Sequence, residues 1–177
     1  MAERARTIEQ GEPGDTKKLQ LEFWTAFCTQ ASSHPQRFNV PKPKPHHVLV
    51  TSMGRSGVTL NAVASTYNAT EQTYSTHELR SALYLNGPNC KLYYSALLEQ
   101  RQEIEQEVGE GLLWYNPEDG RHAKIYVQRT VDLNNREQWP EFIHWLLEKL
   151  NNMHGTLHGR VNRLDLAGLR AAGGGVE

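Results

Sequence analysis

The sequence holds only two cysteines, Cys28 and Cys90, and neither lies in a C-x-x-C or zinc-like spacing. It therefore offers no disulfide framework and no structural zinc site, and a reduced, cytoplasmic setting is expected. No apolar run approaches the roughly 20 residues of a membrane span. The opening Met1-Ala2-Glu3-Arg4-Ala5-Arg6 has none of the apolar character of a secretory signal. Charge of one sign is missing too: the formal net charge is −1 and the pI is near 6.7. No overall field draws such a chain onto nucleic acid or an anionic membrane, so any such binding has to come from a local patch. There is no internal repeat. What remains is an ordinary globular composition, 38% hydrophobic and 22% charged over 177 residues. That is enough for one domain with its own core.

The most patterned stretch runs from His47 to Thr66. Val48, Val50 and Ser52 alternate with Leu49, Thr51 and Met53 before Gly54-Arg55-Ser56-Gly57; Val58, Leu60, Ala62 and Ala64 alternate with their neighbours after it. Period two on both sides of a Gly-x-x-Gly link predicts a β-hairpin, because glycine supplies the positive φ that such turns need.

Around it the chain reads as follows. Residues 1–15 are polar and aperiodic and are expected to be a flexible leader. Asp15 or Thr16 can cap a first helix in which Leu21, Trp24, Cys28 and Ala31 form an apolar stripe widened by Phe23 and Phe27. His34-Pro35 ends it. The run Val40-Pro41-Lys42-Pro43-Lys44-Pro45 must be extended; it is either a stiff connector kept soluble by lysine or a presenter of charge to phosphate. A third strand spans His77 to Leu85, and a second helix carries Tyr93, Leu97, Ile104 and Val108 inward. Leu112-Leu113-Trp114-Tyr115, a Pro117/Asp119-Gly120 turn and a strand from His122 to Gln128 make a second hairpin. The last helix begins close to Trp139-Pro140 and bears Phe142, Ile143, Leu146, Leu150 and Met153, with a kink expected at Gly155. Residues 166–177 are expected to be a disordered tail. The fold class is α+β: a single two-layer domain over 16–165, in the order α-β-β-β-α-β-β-α. Its sheet has about five mainly antiparallel strands, with helices packed mainly on one face.

Several of these pieces together resemble a known family. Leu21-Glu22-Phe23-Trp24-Thr25-Ala26-Phe27, Lys42-Pro43-Lys44-Pro45, Gly54-Arg55-Ser56-Gly57, Leu113-Trp114 and Arg136-Glu137-Gln138-Trp139-Pro140 occur in the order and spacing of the bacterial domain-of-unknown-function family 4268. Trp145-Leu146 and Arg160-Val161-Asn162-Arg163-Leu164 extend the likeness, which covers about Leu19 to Leu164. Members of that family often lie C-terminal to a restriction-nuclease-like domain. The resemblance thus implies a genome-defence or nucleic-acid setting, with nucleic acid or a nuclease-like domain as partner. It carries no catalytic residues. The helix–sheet order also resembles the small chaperones of bacterial secretion systems, at the level of fold.

No catalytic constellation emerges from the residues. A restriction-type metal site needs an acid two residues before a strand lysine, and here that stretch is His122-Ala123-Lys124. His154 and His158 share a helix face but have no H-E-x-x-H around them. Gly54-Arg55-Ser56-Gly57 lacks the Gly-Lys-Ser/Thr ending of a phosphate loop and joins two strands. No cofactor and no metal are expected. Two binding candidates remain. Arg55, with Ser56, is either a reader of an anion or base edge or a turn residue paired with an acid. Arg80 and Tyr84 on the third strand, with Lys124 and Tyr126 on the fifth, form either a surface for single strands or RNA or a plain solvated sheet face. The expectation is a non-catalytic binding or accessory domain; the alternative is a chaperone-like interaction domain, as a homodimer, with no nucleic-acid role.

Overall fold

The computed structural model describes residues 13–173. Helix α1, Pro13–Ala31, opens this region, so the expected leader lies outside the described residues except for 13–15, which begin the helix. Proline is tolerated there because a first-turn amide has no partner within the helix. Strands β1, Val48–Ser52, and β2, Val58–Ser65, form the expected hairpin, followed by β3, His77–Asn86. The expected second helix is two helices, α2, Cys90–Leu98, and α3, Arg101–Val108. The turn between them seats α3 against the last long helix, where Arg160 bonds both Gln100 and Glu107. Strands β4, Leu113–Tyr115, and β5, His122–Val131, complete a five-stranded antiparallel sheet in the order β1-β2-β3-β5-β4. Helix α4, Trp139–Arg163, and the short α5, Leu166–Gly173, end the described chain.

Two further features differ from the reading of the sequence. Helix α4 runs unbroken through Gly155. That glycine makes room for Arg37: a Cβ there would come within 2.1 Å of the guanidinium. The stretch from 166, read as disordered, is helical as far as Gly173 because Leu166 and Leu169 pack against the core and Arg170 bonds Asn89; the four residues after it lie outside the described ones.

Alternation decides which face of the sheet is covered. Leu49, Leu60, Leu79, Leu83, Ile125 and Val127 point to one side and are buried there. Against them pack Phe23, Trp24 and Phe27 of α1, which meet edge-on at 5.3–5.4 Å, and Phe142, Leu146, Leu150 and Met153 of α4. Polar groups inside this layer find partners: the Trp24 indole donates to the His46 carbonyl at 2.7 Å, and Trp139 to Leu133 at 2.9 Å. Among the described residues no helix packs on the other face of the sheet.

Two local constraints have measurable consequences. Gly57 sits at φ +79°, and a Cβ on it would lie 2.7 Å from the Asn86 backbone oxygen. Gly57→Ala is therefore expected to lower unfolding free energy by about 1–3 kcal/mol in denaturant titration. Gly54→Ala, which meets only the Asn162 side chain, should cost less. His77 accepts the Leu133 amide at Nδ1, 3.0 Å away, and burial pushes its pKa below 6.5 despite the opposing pull of Asp132. The unfolded chain thus binds the proton more readily, so this contribution is complete above about pH 6.5 and is lost as pH falls through the folded value. Urea midpoints measured from pH 7.5 downward, about two units, should fall for the native chain and fall less steeply for His77→Gln.

Candidate functional site

The two candidate groups part company. Arg55 and Ser56 sit in the β1–β2 turn, Ser56 exposed and Arg55 half-buried. The Arg55 guanidinium turns toward the helical layer: Nε donates to the Tyr93 hydroxyl at 3.1 Å, and Nη1 to the carbonyls of Val161, at 3.0 Å, and Leu164. It also lies 4.8 Å over the Tyr93 ring. Those carbonyls lie at the C-terminal end of α4, where Val161 accepts only a long bond from the Leu164 amide, at 3.4 Å, and the helix dipole favours a cation. Asn162 reinforces the joint by donating to the Met53 carbonyl at 2.7 Å. Arg55 is thus a cap that fastens the hairpin to α4. Neither of its sequence-level readings, base reader or partner of an acid, matches these contacts.

Arg80, Tyr84, Lys124 and Tyr126 do converge, all on the uncovered face. Strand register sets Ala82 opposite Tyr126 and Tyr84 opposite Lys124. The Arg80 guanidinium lies 4.9 Å over the Tyr126 ring, and Lys124 Nζ stands 5.0 Å from the centre of Tyr115 and 5.5 Å from that of Tyr126. Beyond them Tyr84, His122 and Tyr115 form a row of rings 6.1 and 6.0 Å apart. Tyr115 was not legible as a member because its place depends on the β4–β5 register, which sets it opposite Lys124. A lysine and a tyrosine on the two arms of one predicted hairpin are the signal that could have found it.

The charges on this face are unequal in their surroundings. Arg80 is spent on Glu78: its Nη2 and Nε donate to Oε1 at 2.7 and 3.2 Å, while Oε2 accepts the Ala69 amide at 3.0 Å. Glu78 is fully buried under the 66–76 loop, which Asn68 ties down through Thr76 and Thr130. Lys124 has no such neighbour; among the described residues no carboxylate is within ion-pair distance of it. Burial, then the nearby Arg80, lowers its pKa from the ordinary lysine value, with Glu78 acting in the opposite sense. Its hold on a proton is weakened and its charge is exposed to whatever anion approaches. The face is a platform; concavities lie elsewhere, beside Leu98 and Arg101 and between α1 and Trp139.

Among the described residues no three His, Cys, Asp or Glu side chains are placed to hold a metal ion, and His154 and His158 stack on each other with ring centres 4.8 Å apart. No described helix is long and apolar enough to cross a membrane. A family model described as "Domain of unknown function (DUF4268)" matches residues 19–161. No curated protein and no solved structure matches the chain.

The division of roles is testable. Arg55→Ala should cost about 2–4 kcal/mol of stability, since it removes charge-assisted bonds to two helix-end carbonyls. It should leave the uncovered sheet face untouched, read as unchanged NMR ring resonances of Tyr115 and Tyr126.

Proposed function

The chain belongs to the DUF4268 family, and from that premise we propose that it is a non-catalytic binding domain that holds single-stranded nucleic acid on its uncovered sheet face. One observation carries the reading: a lysine with no carboxylate in ion-pair distance among the described residues stands between Tyr115 and Tyr126, and Tyr115 continues through His122 to Tyr84 in a row of three rings. Rings on a sheet stack bases, and cations between them meet the phosphates that follow. The ring spacing of about 6 Å is comparable to the rise between neighbouring nucleotides in an extended strand. Glu78 and Glu71 bound the loop end of the face, so the strand would track toward Tyr115 and His122. A domain of this kind would present a strand to a nuclease-like partner, the setting the family resemblance implies.

A second reading is favoured by Val50 and Leu113, both about half exposed at opposite edges of the same face. There a protein partner, or a second copy, covers the sheet. A mass that is independent of concentration over the micromolar range would oppose self-association.

With Lys124 as the phosphate contact and Arg80 already paired with Glu78, log K should fall with log salt at a slope of about −0.7. Lys124→Ala should bring that slope close to zero, and Tyr115→Ala should weaken binding by roughly tenfold with the slope unchanged. Fluorescence anisotropy with short labelled oligonucleotides at low salt measures both. Absence of binding there defeats the proposal.

A further inference from the structure

The acids of the chain are unevenly placed. Between Glu22 and Glu71 there is no Asp or Glu, although the whole chain holds 20. That acid-free stretch, 23–70, takes in the segment from Pro41 to His47 and both strands at the β1 edge of the sheet. Its cations are Arg37, Lys42, Lys44 and Arg55, and Arg55 is committed to the end of α4. Lys42 and Lys44 are exposed, and among the described residues neither has an ion pair.

The segment that carries them is held along its backbone. The carbonyls of Asn39, Pro41 and His46 accept from the Thr51 hydroxyl, the Cys28 thiol and the Trp24 indole, and the His47 carbonyl accepts the Ala64 amide. Pro41, Pro43 and Pro45 stiffen it further. Pro41 and Pro43 are half-buried while Lys42 and Lys44 face solvent, so the two lysines stand on one side of an extended chain, about 6 Å apart along it. That interval matches the ring spacing on the uncovered face. Two uncompensated charges on a fixed backbone are pre-organised for neighbouring phosphates, because little freedom is lost on contact. The segment also joins the face. Val48, next after His47, lies in the row Val48–Val63–Arg80 across β1, β2 and β3, two strand spacings or about 10 Å from Arg80. His47 feels that guanidinium: burial, then His46, then Arg80 lower its pKa. Glu78, beside this path, is buried and paired with Arg80.

We propose that Lys42 and Lys44 form a second phosphate-binding element, at the β1 edge, for a single strand that leaves the uncovered face past Arg80. The inference rests on the single-strand reading of that face. Lys124 meets phosphate among the rings, and the two lysines take phosphates further along the same strand. Their contribution is charge, which adds affinity and salt dependence but reads no base.

The test titrates oligothymidylates of about four and about twelve nucleotides, since only the longer can span both elements. The native chain should bind the shorter with a salt slope of about −0.7 and the longer with about −2.1, each lysine contact adding about −0.7. Lys42→Ala combined with Lys44→Ala should return the longer oligomer to about −0.7. The melting temperature and the affinity for the shorter oligomer should stay as they are. Lys17→Ala, an exposed lysine on α1 outside the acid-free stretch, should change neither slope. Equal slopes for the two oligomers overturn the inference and leave strand binding on the face intact. So does a steep slope that survives in the double variant, or one that Lys17→Ala lowers as much. An oligoglutamate of equal charge that binds as tightly as the longer oligomer, and loses its binding in the double variant, assigns the lysines to an acidic protein segment and overturns the inference too. Binding to neither oligomer overturns it together with the reading it rests on.

Discussion

The guanidinium of Arg55 joins the hairpin to the helical layer, and the arrangement of the sheet depends on that joint. It reaches from the β1–β2 turn to the Tyr93 hydroxyl on α2 and to the terminal carbonyls of α4, parts of the chain separated by 38 to 109 residues. The same contacts supply donors to a helix end whose last carbonyls have few of their own. Because the turn must face the helices to make them, Gly54 and Gly57 both take positive φ. The inward residues of β1 and β2 are thereby committed to the core, and their alternates to solvent.

The uncovered face is the complement of that commitment. Its one fully buried charge, Glu78, is held by Arg80 and by a backbone amide of the 66–76 loop. A buried pair of this kind contributes little net stability, since desolvation offsets attraction; what it does is fix the direction of the Arg80 side chain over Tyr126. Lys124 is positioned differently, by two tyrosine rings that attract it without neutralising it. Cations held by rings keep their outward field, and cations held by carboxylates lose most of it.

Much of this was legible in the chain, and the limit falls at side-chain direction. Period two in Val58–Ser65 and His77–Asn86 told which residues share a face, so the association of Arg80 and Tyr84 with Lys124 and Tyr126 followed once β3 and β5 proved to be neighbours. That adjacency is not written locally, because it depends on a crossover through α2 and α3. The role of Arg55 was hidden for a related reason: a turn arginine has the same sequence whether it points to solvent or to a helix end more than a hundred residues away. Gly155 showed the opposite failure. Its low helix propensity suggested a kink, but the missing side chain served a tertiary contact with Arg37.

Apart from Tyr115 on the edge strand β4, the rings and cations of the uncovered face stand on β3 and β5, which are paired along ten residues each. A platform built this way is assembled before anything reaches it. A ligand docking there would need no folding or closure first, so encounter would set the pace of its association, at about 10⁵–10⁷ per molar per second for docking of specific patches. Any discrimination the face makes must then appear in how long a bound molecule stays.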